Sequence, residues 1–335
     1  MRCFRSGATR ALIAFAALMI CCSAAVAEEC QLKLVASLDT ISDNDGQILV
    51  PVGVENAKGY LILDISDTTS LLTRASADSV RLQPITIPAT MHINYGEGSA
   101  KFAAYADVKL GNVTGKMLFA ILDGKLSDDP KVAGVLGYDV LRRFDIELDL
   151  AHNKVNLFSQ DHCPSKVVYW THTAAIAATP IKVLDLAALN IPMQLDGKDV
   201  NAQISTSAPY ALLHRHIARV SFGLDSPVSP APAAATGTRG DSAEAPKAQP
   251  YSFKTLSVDG ITISNPVVYP YGQDKSYICN GTTHEEPAPL RSMMRQMVTC
   301  YGEPDMFLGR SVLRQLRIYL ALQERMMYAT AADAQ

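Results

Sequence analysis

An all-β chain of two tandem lobes is what the sequence predicts, and three observations predict it. Helical periodicity over long stretches is scarce, whereas short β-type runs recur, among them Ile48 to Val54, Tyr60 to Leu63 and Asp145 to Leu150. The chain repeats itself. Its 335 residues are 48% hydrophobic, enough apolar material for one large or two medium cores.

The repeat organises everything else. Val50-Pro51-Val52 superimposes on Ile191-Pro192-Met193, and with no gap Leu71-Leu72 falls on Leu212-Leu213 and Arg74 on Arg215. Further along, Val135 to Ala151 (VLGYDVLRRFDIELDLA) aligns with Phe307 to Gln323 (FLGRSVLRQLRIYLALQ), with identical residues at 8 of 17 positions. The second copy carries extra length between these matches. Its source is Ser226 to Pro250, with five prolines, many alanines and no aromatic residue. Such a stretch buries too little apolar surface to offset its ordering entropy, and it reads as a flexible insertion.

The predicted organisation follows in order. Residues 1–27 read as a cleaved secretory signal: Arg2, Arg5 and Arg10, an apolar run from Ala11 to Ile20, and the small-x-small site Ala25-Val26-Ala27. An uncleaved N-terminal anchor is the alternative. Residues 28–160 form the first lobe, 161–185 a connector, and 186–330 the second lobe with its insertion at 226–250. Each lobe reads as a strand, a turn into an apolar strand, a polar turn, a short helix, further hairpins, Leu-Gly with a second short helix, and a closing hairpin. In the first copy that hairpin runs from Asp145 to Leu150, turns at His152-Asn153-Lys154, and returns through Val155 to Phe158.

Export places the mature chain in the periplasm or outside the cell, and no later stretch is apolar enough to span a membrane. Four cysteines remain after cleavage: Cys30, Cys163, Cys279 and Cys300. An even number in an oxidising compartment suggests two disulfides, with three pairings open. Cys30–Cys163 with Cys279–Cys300 would staple one lobe each. Their spacing does not resemble a zinc site, and neither a metal nor a cofactor is expected. A formal charge of −3 gives no electrostatic footprint for nucleic acid.

The duplicated plan resembles the retropepsin-like and pepsin-like aspartic peptidases. There an apolar strand runs into Asp-Thr-Gly-Ala and then a pair of apolar residues, and downstream an apolar residue and Leu-Gly precede a short helix. The first copy here reads Leu61-Ile62-Leu63-Asp64-Ile65-Ser66-Asp67 before Leu71-Leu72, with Val135-Leu136-Gly137 downstream. The second reads Ile204-Ser205-Thr206-Ser207-Ala208 before Leu212-Leu213, with Phe307-Leu308-Gly309 downstream.

In that mechanism two Asp side chains, one per lobe, sit about 3 Å apart around one water and share a proton, because like charges that close do not both ionise. The following Thr hydroxyls brace the two loops, and the Gly lets backbone approach the water. Carried over by position, Asp64 matches the first catalytic Asp. Ile65 replaces its bracing Thr, and Ser66 replaces its Gly. In the second half-site Ser205 stands where the other Asp belongs, Thr206 keeps the brace, and Ser207 replaces the Gly. An alcohol neither holds a negative charge near neutral pH nor donates a proton as a carboxylic acid does. The bland reading of Asp64 is a turn residue that caps the following segment.

The resemblance also implies a hairpin flap. Met91 to Val108 supplies one, with Tyr95-Gly96-Glu97-Gly98 at its tip. Tyr95 either reaches the cleft or stands exposed there. The corresponding place in the second copy falls in the insertion. His214 and His216 flank Arg215 on a short helix and read as surface residues rather than metal ligands.

The expected function is therefore that of a catalytically impaired relative of these peptidases. It would be a monomer with an internal pseudo-two-fold that binds extended polypeptide between its lobes. Two alternatives stand beside it. One is a working aspartic endopeptidase in which two Asp64 side chains meet across a homodimer; the other is a structural envelope protein.

Overall fold

In each copy, two strands are forced apart and a third is threaded between them. The computed structural model describes residues 32–96, 98–172, 174–184, 188–224, 249–272 and 304–334. In the first copy, β3 (Ile48–Val54) turns back into β4 (Ala57–Leu63), and Glu55 in the turn takes the left-handed conformation with φ 52°. Strand β4 ends at Asp64. After a polar turn the chain resumes as β5 (Leu71–Thr73) and helix α1 (Arg74–Ser79), whose N-cap Thr73 accepts from the backbone N–H of Ser76. Strand β10 (Val132–Leu136) enters between β4 and β5, parallel to the first and antiparallel to the second. Strand β9 (Val113–Asp123) lies parallel on the far side of β5.

The second copy repeats this. Strand β16 (Lys198–Ile204) ends at Ser205, and β17 (Ala211–His214) leads into helix α3 (Arg215–Phe222). Strand β22 (Met306–Leu308) threads between β16 and β17 in the same senses, and β21 (Val267–Tyr271) runs parallel beside β17. Among the described residues each copy builds a nine-stranded sheet, and the chain is an all-β fold of two lobes with short helices.

Period-2 alternation decides which side chains enter the core. Leu61, Leu63 and Leu72 join the main cluster, while Ile62, Leu71 and Val135 point to the opposite face and form a second one with Leu49 and Leu122. The threading also explains two glycines. A Cβ at Gly137 would lie 2.8 Å from the carbonyl carbon of Thr69, and one at Gly309 would lie 2.0 Å from the Tyr210 carbonyl oxygen. Only a residue without a side chain lets the crossing strand approach the turn so closely.

A third sheet joins the two copies. It has six strands: β1 (Leu34–Asp39), β12 (Lys154–Phe158), β11 (Asp145–Asp149), β23 (Leu316–Ala321), β24 (Met326–Ala331) and β13 (Ala177–Pro180), in that order. The closing hairpin of one copy pairs with that of the other at Ile146↔Leu320, Glu147↔Tyr319 and Leu148↔Ile318. Strand β13 lies within the stretch read as a connector.

Residues 1–31, which hold the signal reading and Cys30, lie outside the described residues, as do Cys279, Cys300, Glu97 and nearly all of the 226–250 insertion. Among the described residues, no helix is long and apolar enough to cross a membrane.

Candidate functional site

Both copies present their polar turn at the same place, and the turns meet. Asp64, Ser205 and Thr206 are buried, and Ser66 and Ser207 are half-buried. The Asp64 carboxylate Oδ1 accepts from the backbone N–H of Ser66 at 3.1 Å and from its hydroxyl at 2.7 Å, so Asp64 does cap the segment that follows it. The same Ser66 Oγ lies 3.2 Å from Ser205 Oγ and 3.3 Å from Ser207 Oγ, and the latter two are 3.0 Å apart. Ser205 Oγ also accepts from the Ala208 N–H at 3.2 Å. One acid and three alcohols thus occupy the junction, with the Ser66 hydroxyl bridging Asp64 and Ser205.

Thr206 carries the cross-brace alone. Its hydroxyl donates to the Leu63 carbonyl at 2.8 Å and accepts from the Ile65 N–H at 3.0 Å, fixing the first turn from the second. Ile65, the equivalent residue, sits in the apolar core and returns no such bond.

The supports beneath the two turns differ. Under the first, Ser70 Oγ donates to Asp139 at 2.6 Å and accepts from the Gly137 N–H at 2.9 Å, while Asp139 also accepts from the backbone of Ser70 and Val140. Asp139 lies on α2 (Tyr138–Leu141). The corresponding positions of the second copy hold Ala211 and Ser311. There Arg310, at the start of α4 (Arg310–Leu313), takes over. Its guanidinium donates to the Ser207 carbonyl at 2.6 Å and the Thr206 carbonyl at 3.3 Å, and it reaches the Asp45 carbonyl of the first copy at 3.1 Å. Burial and neighbouring Arg314 pull this guanidinium down to about 10, against Asp43 and Asp45, so it stays charged at neutral pH.

The flap is a hairpin of β7 (Ile93–Tyr95) and β8 (Gly98–Leu110), closed by the pair Tyr95↔Gly98, with Gly96 at φ 60° in the turn. Tyr95 is 5% exposed, which removes the exposed-tip alternative. Its ring packs with Ile62, Leu71 and Val135, within reach of the Asp67 and Arg310 charges. Burial raises its phenol well above the usual value, and the Asp67 charge adds to this. Asp67, three residues past Asp64, is pushed up to about 6, chiefly by burial. The backbone N–H of Thr69 opposes that shift, and the Asp139 charge reinforces it.

His214 and His216 are buried, contrary to the surface reading. His214 is the N-cap of α3: its Nδ1 accepts from the His216 N–H at 3.2 Å, and its ring stands edge-on to Tyr271 and over Gly272.

Two lobes, each with a strand threaded through a split pair, together define the pepsin-like fold. Among solved structures the chain resembles basic 7S globulin from soybean, with a TM-score of 0.51 and 12% identity over 91% of this chain and 96% of that one. At that identity the likeness establishes the fold alone. No protein-family model and no curated protein matches the sequence.

Proposed function

We propose that this protein is a catalytically impaired relative of the aspartic peptidases that holds extended polypeptide in the cleft between its lobes. The observation that carries this reading is the junction itself. Asp64 meets an alcohol, not a second acid, and the Ser66 hydroxyl, 2.7 Å from Asp64, makes the kind of contact that the resemblance assigns to the reacting water. With Ser205 where the second Asp belongs, the junction does not have the pair of carboxyls that shares one proton in a dyad. Groups that act as a unit fail together, so the loss of one removes most of the rate. A working site from two copies of Asp64 is disfavoured, since the second lobe of the same chain already supplies Ser205 and Thr206 to that face.

The reading extends to export through a cleaved signal and to a monomeric mature chain in the periplasm or outside the cell. Cys163 is disulfide-bonded, which supports an oxidising compartment, and Cys30 is the partner we assign to it. The test is equilibrium binding of unstructured peptides followed by mass spectrometry of the mixture. Saturable binding with intact peptide is expected; peptide cleavage that disappears in Asp64→Ala refutes the reading.

A further inference from the structure

The polar junction holds a hydroxyl in front of a carboxylate. Ser66 and Ser207 keep exposed surface, whereas Asp64 and Ser205 are buried. Asp64 Oδ1 accepts both the hydroxyl of Ser66 at 2.7 Å and its backbone N–H at 3.1 Å. The Ser66 proton therefore already points at a base. Backbone on both sides of Asp64 is fixed, because Thr206 donates to the Leu63 carbonyl at 2.8 Å and accepts from the Ile65 N–H at 3.0 Å. Arg310 fixes the opposite turn through the Thr206 and Ser207 carbonyls. A hydroxyl and a base held this way lose little freedom when they react.

The hydroxyls of Ser66, Ser205 and Ser207 carry one hydrogen each. Ser66 spends its own on Asp64. The 3.0 Å contact between Ser205 and Ser207 takes the hydrogen of one of them, and the other hydroxyl is left to donate to Ser66, at 3.2 Å from Ser205 or 3.3 Å from Ser207. The donors thus run in one direction, toward the carboxylate, and each bond polarises the next. Ser66 Oγ accepts one hydrogen bond and keeps one lone pair for an electrophile. A hydroxyl is a weak nucleophile until an adjacent base takes its proton, and a carboxylate within hydrogen-bond reach is such a base.

We propose that Ser66 is an acyl-acceptor site, a nucleophile that takes the acyl group of activated esters or lactones with Asp64 as its base. As Ser66 Oγ forms its bond to the acyl carbon, its proton passes to Asp64. The C–O bond to the leaving group then breaks and the leaving oxygen takes the proton from Asp64. An acyl-Ser66 ester and an ionised Asp64 remain. Ser207, the other hydroxyl with exposed surface, lies 3.3 Å from Ser66 Oγ and is the donor within reach of the developing oxyanion. The substrate class follows from what the second turn offers. A peptide carbonyl resists attack until an acid polarises it, and Ser205 supplies only a neutral hydroxyl. An activated ester is attacked without that help. The site therefore takes acyl groups from esters and leaves peptide bonds intact. This inference does not rest on polypeptide binding, and either can fail alone.

The probe is p-nitrophenyl acetate, added to the intact protein and followed by peptide mapping with mass spectrometry. The expected product is an acetyl ester on the peptide that holds Ser66, cleared by hydroxylamine, which spares acetylated lysines. It is expected on wild type and not on Ser66→Ala. General-base help is worth about 10²–10⁴-fold, so Asp64→Asn, which keeps the shape of the side chain, is expected to slow labelling at least about 100-fold. Thermal unfolding of Asp64→Asn checks that the slow rate belongs to a folded protein. The wild-type map needs no variant and decides alone if Asp64→Asn does not fold. Wild type with no ester on Ser66 overturns the proposal, as does a folded Asp64→Asn protein that labels Ser66 at the wild-type rate.

Discussion

The turn after β4 and the turn after β16 are the same device built twice, and they differ in what holds them and in what they offer. The first is pinned by Ser70 and Asp139, neutral hydroxyl against carboxylate, and presents an acid. The second is pinned by the Arg310 guanidinium on its carbonyls and presents an alcohol. Thr206 braces across the gap, whereas Ile65 is absorbed into the core. The threaded strands and their glycines are kept in both turns, while the chemistry at the tips has diverged. Backbone crossing and tip chemistry are separable: the crossing is constrained by sterics that admit no Cβ, and it is kept whether the tip carries Asp64 or Ser205.

The comparison breaks most sharply at the crossings. Gly309→Ala and Gly137→Ala each drive a methyl into backbone, and overpacking of this kind costs about 3 kcal/mol or more by urea denaturation. Gly309→Ala is the worse of the two, because its nearest contact is 2.0 Å against 2.8 Å. Thr206→Val removes both cross-brace bonds and leaves the buried Leu63 carbonyl and Ile65 N–H unpaired, at a cost of about 2 kcal/mol. The equivalent change Ile65→Val in the first turn loses no hydrogen bond and costs about 1 kcal/mol. Ser70→Ala gives the first turn the residue that the second already has in Ala211, and costs about 1 kcal/mol through the orphaned Gly137 N–H.

A smaller effect distinguishes the turns by pH. Burial raises Asp67 from 3.8 to about 6, so the folded state binds this proton more tightly than the unfolded chain. Its contribution is fully present below the unfolded value and is lost as pH rises through about 6. Asp67→Asn is expected to flatten that part of the stability–pH curve, read from thermal unfolding in a buffer series. The position equivalent to Asp67 in the second copy is Ala208, and Ala208→Asn is expected to leave the slope unchanged.

Much of this was legible from the residues. Spacing alone set Asp64 and Ser205 at equivalent places before their leucine pairs, and Leu-Gly marked both threaded strands. Arg310 escaped notice because it occupies the position of Tyr138 at the start of an otherwise apolar short helix, where a charge signals solvent until the carbonyls around it are seen. The burial of His214 was hidden for a similar reason, since an N-cap histidine folded over Gly272 leaves no periodic trace. The pairing of the two closing hairpins into one sheet joins residues about 170 positions apart, and no local pattern specifies a partner at that range.

The most direct test of one acid facing one alcohol is incubation of the purified mature protein with an unfolded protein from about pH 3 to about pH 7, the range in which a carboxylate dyad operates. Mass spectrometry would compare wild type with Asp64→Ala. The account predicts that the polypeptide is bound and recovered intact in both; fragments that appear with wild type and vanish with Asp64→Ala would contradict it.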